Sequence, residues 1–189
     1  MKKLFLPLIF IAALHIVSLS AQPQIYLVRH AEKLDNWPGG MAGQFQPLSA
    51  EGLKTADRLA AHFEEGQIKA VFSSATTRTL HTAFPVAQKM GLQPQITRAC
   101  SDTSKISEFL QELQSKFKPS DTVLIVSHSN IVPYFLIKSG LSAECQDAMG
   151  FSTSTSHTWL LTDFYGELFY VADLKKANKS CGDFKRIKF

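Results

Sequence analysis

Cysteine is scarce in this chain, and its scarcity excludes two architectures. The 189 residues include only 3 cysteines, Cys100, Cys145 and Cys181, and no two of them are spaced as C-x-x-C. The chain is therefore neither a disulfide-stapled miniprotein nor a thiolate zinc or dithiol redox module. An odd count allows at most one intramolecular bridge and leaves one thiol over. A Cys145–Cys181 pair would pin the end of the chain, although spacing alone leaves the pairing open. None of the three lies among the charged partners that a catalytic thiolate requires.

A surplus of one charge is also missing. The chain has 20 Lys and Arg against 16 Asp and Glu, a formal net charge of +4, which is no electrostatic footprint for nucleic acid. Basic residues gather only at the end, as Lys175, Lys176, Lys179, Lys185, Arg186 and Lys188. Residues 176–189 read as a solvated, partly disordered basic tail, with attraction to an anionic membrane or glycolipid surface as the alternative. A long apolar run occurs once, from Leu4 to Val17, after Met1-Lys2-Lys3 and before Ser18-Leu19-Ser20-Ala21. It is short for a membrane span. A basic start, an apolar middle and small residues at the end predict a secretory signal peptide over residues 1–21. The mature protein would then be secreted or periplasmic, with no stable membrane insertion after cleavage. Internal repeats are absent too, and residues 22–175 suffice for one domain with its own core.

Within that domain apolar periodicity alternates between short runs and helical stripes. Ile25-Tyr26-Leu27-Val28, Ala70-Val71-Phe72 and Val123-Leu124-Ile125-Val126 are short apolar runs of buried-strand type, and a further short strand is expected around Gln95 to Thr97. Helices are expected from a Ser49 cap through Leu53, Ala56, Leu59, Ala60 and Phe63, and from about Thr77 to Met90 with a bend at Pro85. Two more are expected from Ile106 to about Phe117, and from an Asn130 cap to Gly140. Thr158 to Thr162 and Glu167 to Val171 flank Asp163-Phe164-Tyr165-Gly166 as an antiparallel hairpin. The alternation predicts an α/β fold, a three-layer sandwich whose mainly parallel sheet lies between helices and ends in an antiparallel edge hairpin.

The chemistry gathers where these runs stop. One strand ends on Arg29-His30, another on His128-Ser129-Asn130, and the turn Ser73-Ser74-Ala75-Thr76-Thr77-Arg78 delivers a second arginine to a helix start. Open α/β folds bind ligands at the carboxyl ends of their strands. Two arginines, two histidines and helix N-termini there suit a phosphoryl dianion. His30 is the candidate nucleophile, because an imidazole attacks phosphorus through an unprotonated nitrogen and neighbouring arginines disfavour the imidazolium. Its other ring nitrogen would need a backbone carbonyl to fix the tautomer. Arg29 and Arg78 offer planar forks to phosphate oxygens, and His128 can donate to an oxygen as charge develops. Two histidines beside a carboxylate also resemble a metal site, but the adjacent arginines would repel a divalent cation, so no metal or other cofactor is expected. His62, His81 and His157 have no such setting.

The ordered pieces Arg29-His30-Ala31-Glu32-Lys33, Leu48-Ser49-Ala50-Glu51-Gly52-Leu53, Ser73-Ser74 through Arg78-Thr79-Leu80-His81-Thr82-Ala83, and Val126-Ser127-His128-Ser129-Asn130 resemble the histidine phosphatase superfamily, also called the phosphoglycerate-mutase-like family. The resemblance implies phosphomonoester hydrolysis through a phosphohistidine on His30, without metal. It also implies a carboxylate proton donor, for which Asp102 is the match and Glu108 the runner-up, and a phosphate-contacting Asn36. Glu32 and Lys33 would line the substrate mouth or pair with each other. The short stretch between Arg78 and His128 leaves no room for the insertions by which mutase relatives exclude water, so a phosphatase is expected. Export suggests a phosphorylated small molecule or envelope glycan as partner. A protein phosphohistidine phosphatase is one alternative, and a phosphate- or phosphoglycan-binding module without turnover is another.

Overall fold

The computed structural model describes residues 23–146, 149–150, 164–172 and 179–189. The expected leader over residues 1–21 and the first hairpin arm, 158–162, lie outside the described residues. Among the described residues, six strands form one sheet in the order β3-β2-β4-β1-β5-β6. Its strands are β1 (Gln24–Arg29), β2 (Ile68–Ser73), β3 (Gln95–Ile96), β4 (Thr122–Ser127), β5 (Glu167–Val171) and β6 (Phe184–Lys188). Strands β1 to β4 pair in parallel, while β5 runs antiparallel to both β1 and β6. β4 is buried along its whole length. A central parallel strand covered on both faces needs apolar residues at every position, which is why Thr122-Val-Leu-Ile-Val does not alternate with polar residues.

The side chains of β4 do alternate between two layers. Val123 and Ile125 join Ile25, Leu27 and Phe72 in one core with α3 (Ile106–Lys116) and α4 (Val132–Lys138), to which Ile106, Phe109, Leu113, Phe135 and Leu136 belong. Leu124 and Val126 face the other way, into a core with Val28 of β1, Val71 of β2, Leu59 of α1 (Ala50–His62), Phe63 at its C-terminal end, and Ala83 and Val86 of α2 (Thr77–Lys89). The result is the expected three-layer sandwich.

Several local expectations need correction. Leu53, placed on the apolar stripe of α1, is 50% exposed, because the inward stripe runs through Thr55, Ala56, Leu59 and Ala60. Asn130 does not cap α4, whose N-cap is Ile131 without a side-chain bond. The basic tail is not a solvated extension: Phe184–Lys188 forms β6, with Glu167 opposite Lys188 and Val171 opposite Phe184. Lysines and an arginine on an outermost strand are what keeps an exposed sheet edge from pairing with other chains, so their charge marks an edge here. The antiparallel edge pair among the described residues is thus β5–β6. Cys145, in the short α5 (Ala143–Gln146), is disulfide-bonded to Cys181 just before β6. Cys100 is the leftover thiol, and it is buried.

Candidate active site

The register of the two central strands brings the histidines together. Arg29 at the end of β1 stands opposite Ser127 at the end of β4, so the next residues, His30 and His128, leave the sheet side by side. Their ring centroids are 5.5 Å apart in an edge-to-face arrangement. The amide of His30 donates to the carbonyl of Ser127 at 2.9 Å, extending the ladder by one bond past the strand.

His30 is 4% exposed, and its Nδ1 lies 2.8 Å from the carbonyl oxygen of Ala31. A carbonyl can only accept, so Nδ1 carries the proton and the lone pair sits on Nε2. The tautomer that the sequence argument required is built from the very next residue. Burial lowers the His30 pKa to about 3, with further downward pushes from His128, Arg78 and Arg29 against an upward one from the Ala31 bond. Desolvation thus outranks the arginines, which the sequence argument had made the main cause.

His128 has the opposite tautomer. Arg78 Nη2, which can only donate, faces its Nδ1 at 3.5 Å, and its Nε2 lies 2.9 Å from Ser74 Oγ. Nε2 therefore donates to Ser74, and Nδ1 looks toward Arg78. Burial, then Arg78 and Arg29, lower the His128 pKa to about 4. Ser74 is fully buried and is tied to Thr79 Oγ1 at 2.8 Å and Thr76 Oγ1 at 3.2 Å. Thr79 in turn donates to the carbonyl of Thr76 at 2.9 Å. The hydroxyls at the start of α2 thus form one buried cluster.

Arg78, in the first turn of α2, donates from Nη1 to the carbonyl of Gly43 at 2.9 Å. That contact folds the loop after β1, with its 3-10 turn Gly40–Phe45, onto the site. Its Nε is buried without a hydrogen-bond partner among the described residues, a donor that can meet an anion. Burial and then Arg29 lower the Arg78 pKa, so the two guanidinium groups repel one another until an anion joins them. Arg29 donates from Nη2 to the Tyr165 hydroxyl at 2.8 Å, with its Cζ 4.1 Å from the ring centroid. The loop is further fixed by Thr82, whose Oγ1 accepts from the amide of Ala31 at 2.9 Å and donates to the carbonyl of Arg78 at 2.8 Å.

Two nonequivalent neutral histidines between two arginines form a compact site for an anion with a nucleophile beside it. The sequence profile of the histidine phosphatase superfamily (branch 1) matches residues 25–103, the stretch that contains Arg29, His30 and Arg78. That stretch of the chain is similar to the histidine phosphatase superfamily. Solved structures share its fold. The protein histidine phosphatase SixA complexed with tungstate is 18% identical, with a TM-score of 0.59, covering 87% of this chain and 96% of its own. YhfR of Bacillus stearothermophilus is 18% identical at a TM-score of 0.57, over 84% of this chain and 98% of its own. The alpha-ribazole phosphatase of Shigella flexneri is 17% identical at a TM-score of 0.53, over 72% and 94%. Identities this low establish the shared fold. No curated protein matches this chain in sequence.

Of the residues expected from sequence, the fold brings together Arg29, His30, Arg78 and His128. Asp102 is engaged elsewhere: its Oδ1 accepts from the amide and hydroxyl of Ser104 at 2.9 and 2.7 Å, and Oδ2 lies 3.8 Å from Arg98 Nη2. The Ser104 bonds hold its carboxyl below the usual carboxylate range, which favours the ionised form over a proton donor. The helix-capping role, familiar for aspartate at such a position, is the one the structure displays. Glu108 is exposed on α3 and pairs with Lys105 at 3.4 Å. Asn36 is exposed in a turn with φ +56°, a left-handed conformation that asparagine tolerates. Its position is accounted for by the turn. Glu32 Oε2 is buried without a hydrogen-bond partner among the described residues. Sequence reasoning missed Ser74, Thr82 and Tyr165. The Ser/Thr density of residues 73–79 was a signal for the first; Tyr165, separated from Arg29 by most of the chain, carried none. Among the described residues no three His, Cys, Asp or Glu side chains cluster closely enough to hold a metal ion.

Proposed function

We propose that this protein is a metal-independent phosphomonoesterase that works through a phosphohistidine on His30. The observation that carries the reading is the Nδ1–Ala31 bond, which leaves an unprotonated Nε2 beside two guanidinium groups. In the first step the Nε2 lone pair bonds to phosphorus as the bond to the ester oxygen breaks, and that oxygen leaves with the bonding electron pair and takes a proton from solvent water. In the second, water attacks phosphorus, the N–P bond breaks and phosphate departs. Arg29, Arg78 and a His128 Nδ1 protonated on anion binding would stabilise the equatorial oxygens through charge-assisted contacts. The N-terminal leader pattern supports an exported enzyme acting on a phosphorylated small molecule or envelope glycan.

Trapping with labelled aryl phosphate followed by digestion tests the reading. Label is expected on His30, and His30→Ala should abolish turnover. Arg78→Lys should lose roughly 10²–10³ in rate, because a point charge does not replace the planar fork. Label on another residue, or turnover surviving His30→Ala, refutes the mechanism. The engagement of Asp102 as a cap favours one second reading, a phosphate-binding module without turnover. A nitrophenyl ester, whose leaving group needs little protonation, separates the two: binding of phosphate without hydrolysis of that ester would establish the module.

A further inference from the structure

Tyr165 is unaccounted for by the chemistry above, yet it touches one of the two phosphate-binding arginines. We propose that Tyr165 is a substrate-contacting residue of this site, its ring holding the Arg29 guanidinium and its hydroxyl donating to a phosphoryl oxygen. The inference rests on the phosphate-site reading.

Arg29 Cζ stacks 4.1 Å from the centroid of the ring, a cation–π contact, and Nη2 donates to the phenol oxygen at 2.8 Å. Guanidinium has donors only, so this bond uses a lone pair of the phenol and leaves its single proton to be donated elsewhere. The ring centroid lies 6.3 Å from that of His30. Tyr165 also lies close enough to Arg78 to interact with it electrostatically, which puts the phenol near both guanidinium groups. A hydroxyl so placed has a phosphoryl oxygen as its natural acceptor.

The tyrosine is held by the edge of the sheet. It belongs to the turn Phe164-Tyr165-Gly166, with Gly166 at φ +71°. The amide of Phe189, past the end of β6, donates to the carbonyl of Gly166 at 3.0 Å. Phe164 packs on Phe169 at 5.8 Å, and the Arg186 guanidinium lies 4.2 Å from the Phe164 ring centroid. Arg186 is itself paired with Glu167. β5 and β6 thus present the phenol to Arg29, which links a C-terminal strand to the anion site.

The test uses the full chain with Tyr165→Phe and Tyr165→Leu, their folding checked by thermal melting. Two readouts are needed, vanadate affinity and aryl phosphate turnover. Tyr165→Phe keeps the stack and loses the hydroxyl; vanadate affinity and kcat/KM should each fall about 10-fold, the scale of one hydrogen bond to a charged group. Tyr165→Leu also removes the ring stacked on Arg29 and should fall a further several-fold, with the added loss mainly in KM. Wild-type values in the Phe variant, or tighter vanadate binding, would overturn the proposal, the latter because the hydroxyl would then be competing with phosphate for Arg29. Vanadate binding that weakens as described in a protein without turnover would refute the phosphatase reading and uphold Tyr165. Absence of vanadate binding in wild type would refute both.

Discussion

Ser74 Oγ accepts the Nε2 proton of His128 at 2.9 Å, across 54 residues of sequence, and so decides which face of that imidazole is basic. Without this acceptor His128 can rotate or change tautomer, and the Nδ1 lone pair is no longer aimed at Arg78. Ser74→Ala is expected to lower kcat about 10-fold with little change in KM, one ordinary buried hydrogen bond lost from a positioned donor. Steady-state kinetics checks this. An unchanged kcat would reduce Ser74 to a packing residue of the hydroxyl cluster.

Stability should depend on pH through the two histidines. Burial and nearby positive groups hold His30 at about 3 and His128 at about 4, both below the ordinary 6.5. Between those values the unfolded chain binds more protons than the native one, so their contribution is complete above about pH 6.5 and lost as pH falls through 4 and 3. The slope is up to about 1.4 kcal/mol per pH unit for each histidine. Urea unfolding from pH 7 to 4 should show it, and a His30→Asn, His128→Asn double variant should flatten it. An equally steep profile in the double variant would place the titrating groups elsewhere.

Gly52 lies inside α1, where alanine would ordinarily stabilise by about 1 kcal/mol. Here a Cβ would land on the carbonyl oxygen of Glu32, the atom that accepts from the amide of Ser49 at 2.9 Å. The helix start and the loop after His30 meet backbone to backbone. Gly52→Ala is therefore expected to destabilise by about 1–3 kcal/mol and to lower turnover by shifting the loop that orients His30. Chemical denaturation gives the sign, and a stabilised variant would contradict the close approach.

The Cys145–Cys181 bridge spans 36 residues. Reduction should cost about 2–4 kcal/mol of stability, seen as a lower melting temperature in the presence of reductant. Because β6 supports the Tyr165 turn, vanadate affinity should weaken as well. Cys100 is fully buried and burial pushes its thiol pKa up, so the native oxidised protein should present no thiol to an alkylating reagent until it unfolds. Rapid native labelling would contradict this burial.

Much of the site was legible locally. An apolar run that halts on Arg29-His30, a second that halts on His128 and an arginine in the first turn of a helix are all short-range patterns, because strand burial and helix capping are set by neighbours within a few residues. Asp102 was legible only as ambiguous, since the same residue type serves as donor and as cap, and the distinction lies in whether Ser104 or the pocket claims its oxygens. The sequence by itself determined the alternating layers, the two histidine-bearing strand ends and the arginine pair. Tertiary structure alone decided the opposed tautomers of His30 and His128, the use of the basic C-terminal segment as edge strand β6, the choice of Cys145 and Cys181 as partners, and the arrival of Tyr165 at Arg29. Those features rest on contacts between distant residues and on desolvation, and both exist only once strand register has brought the groups together and excluded water from them.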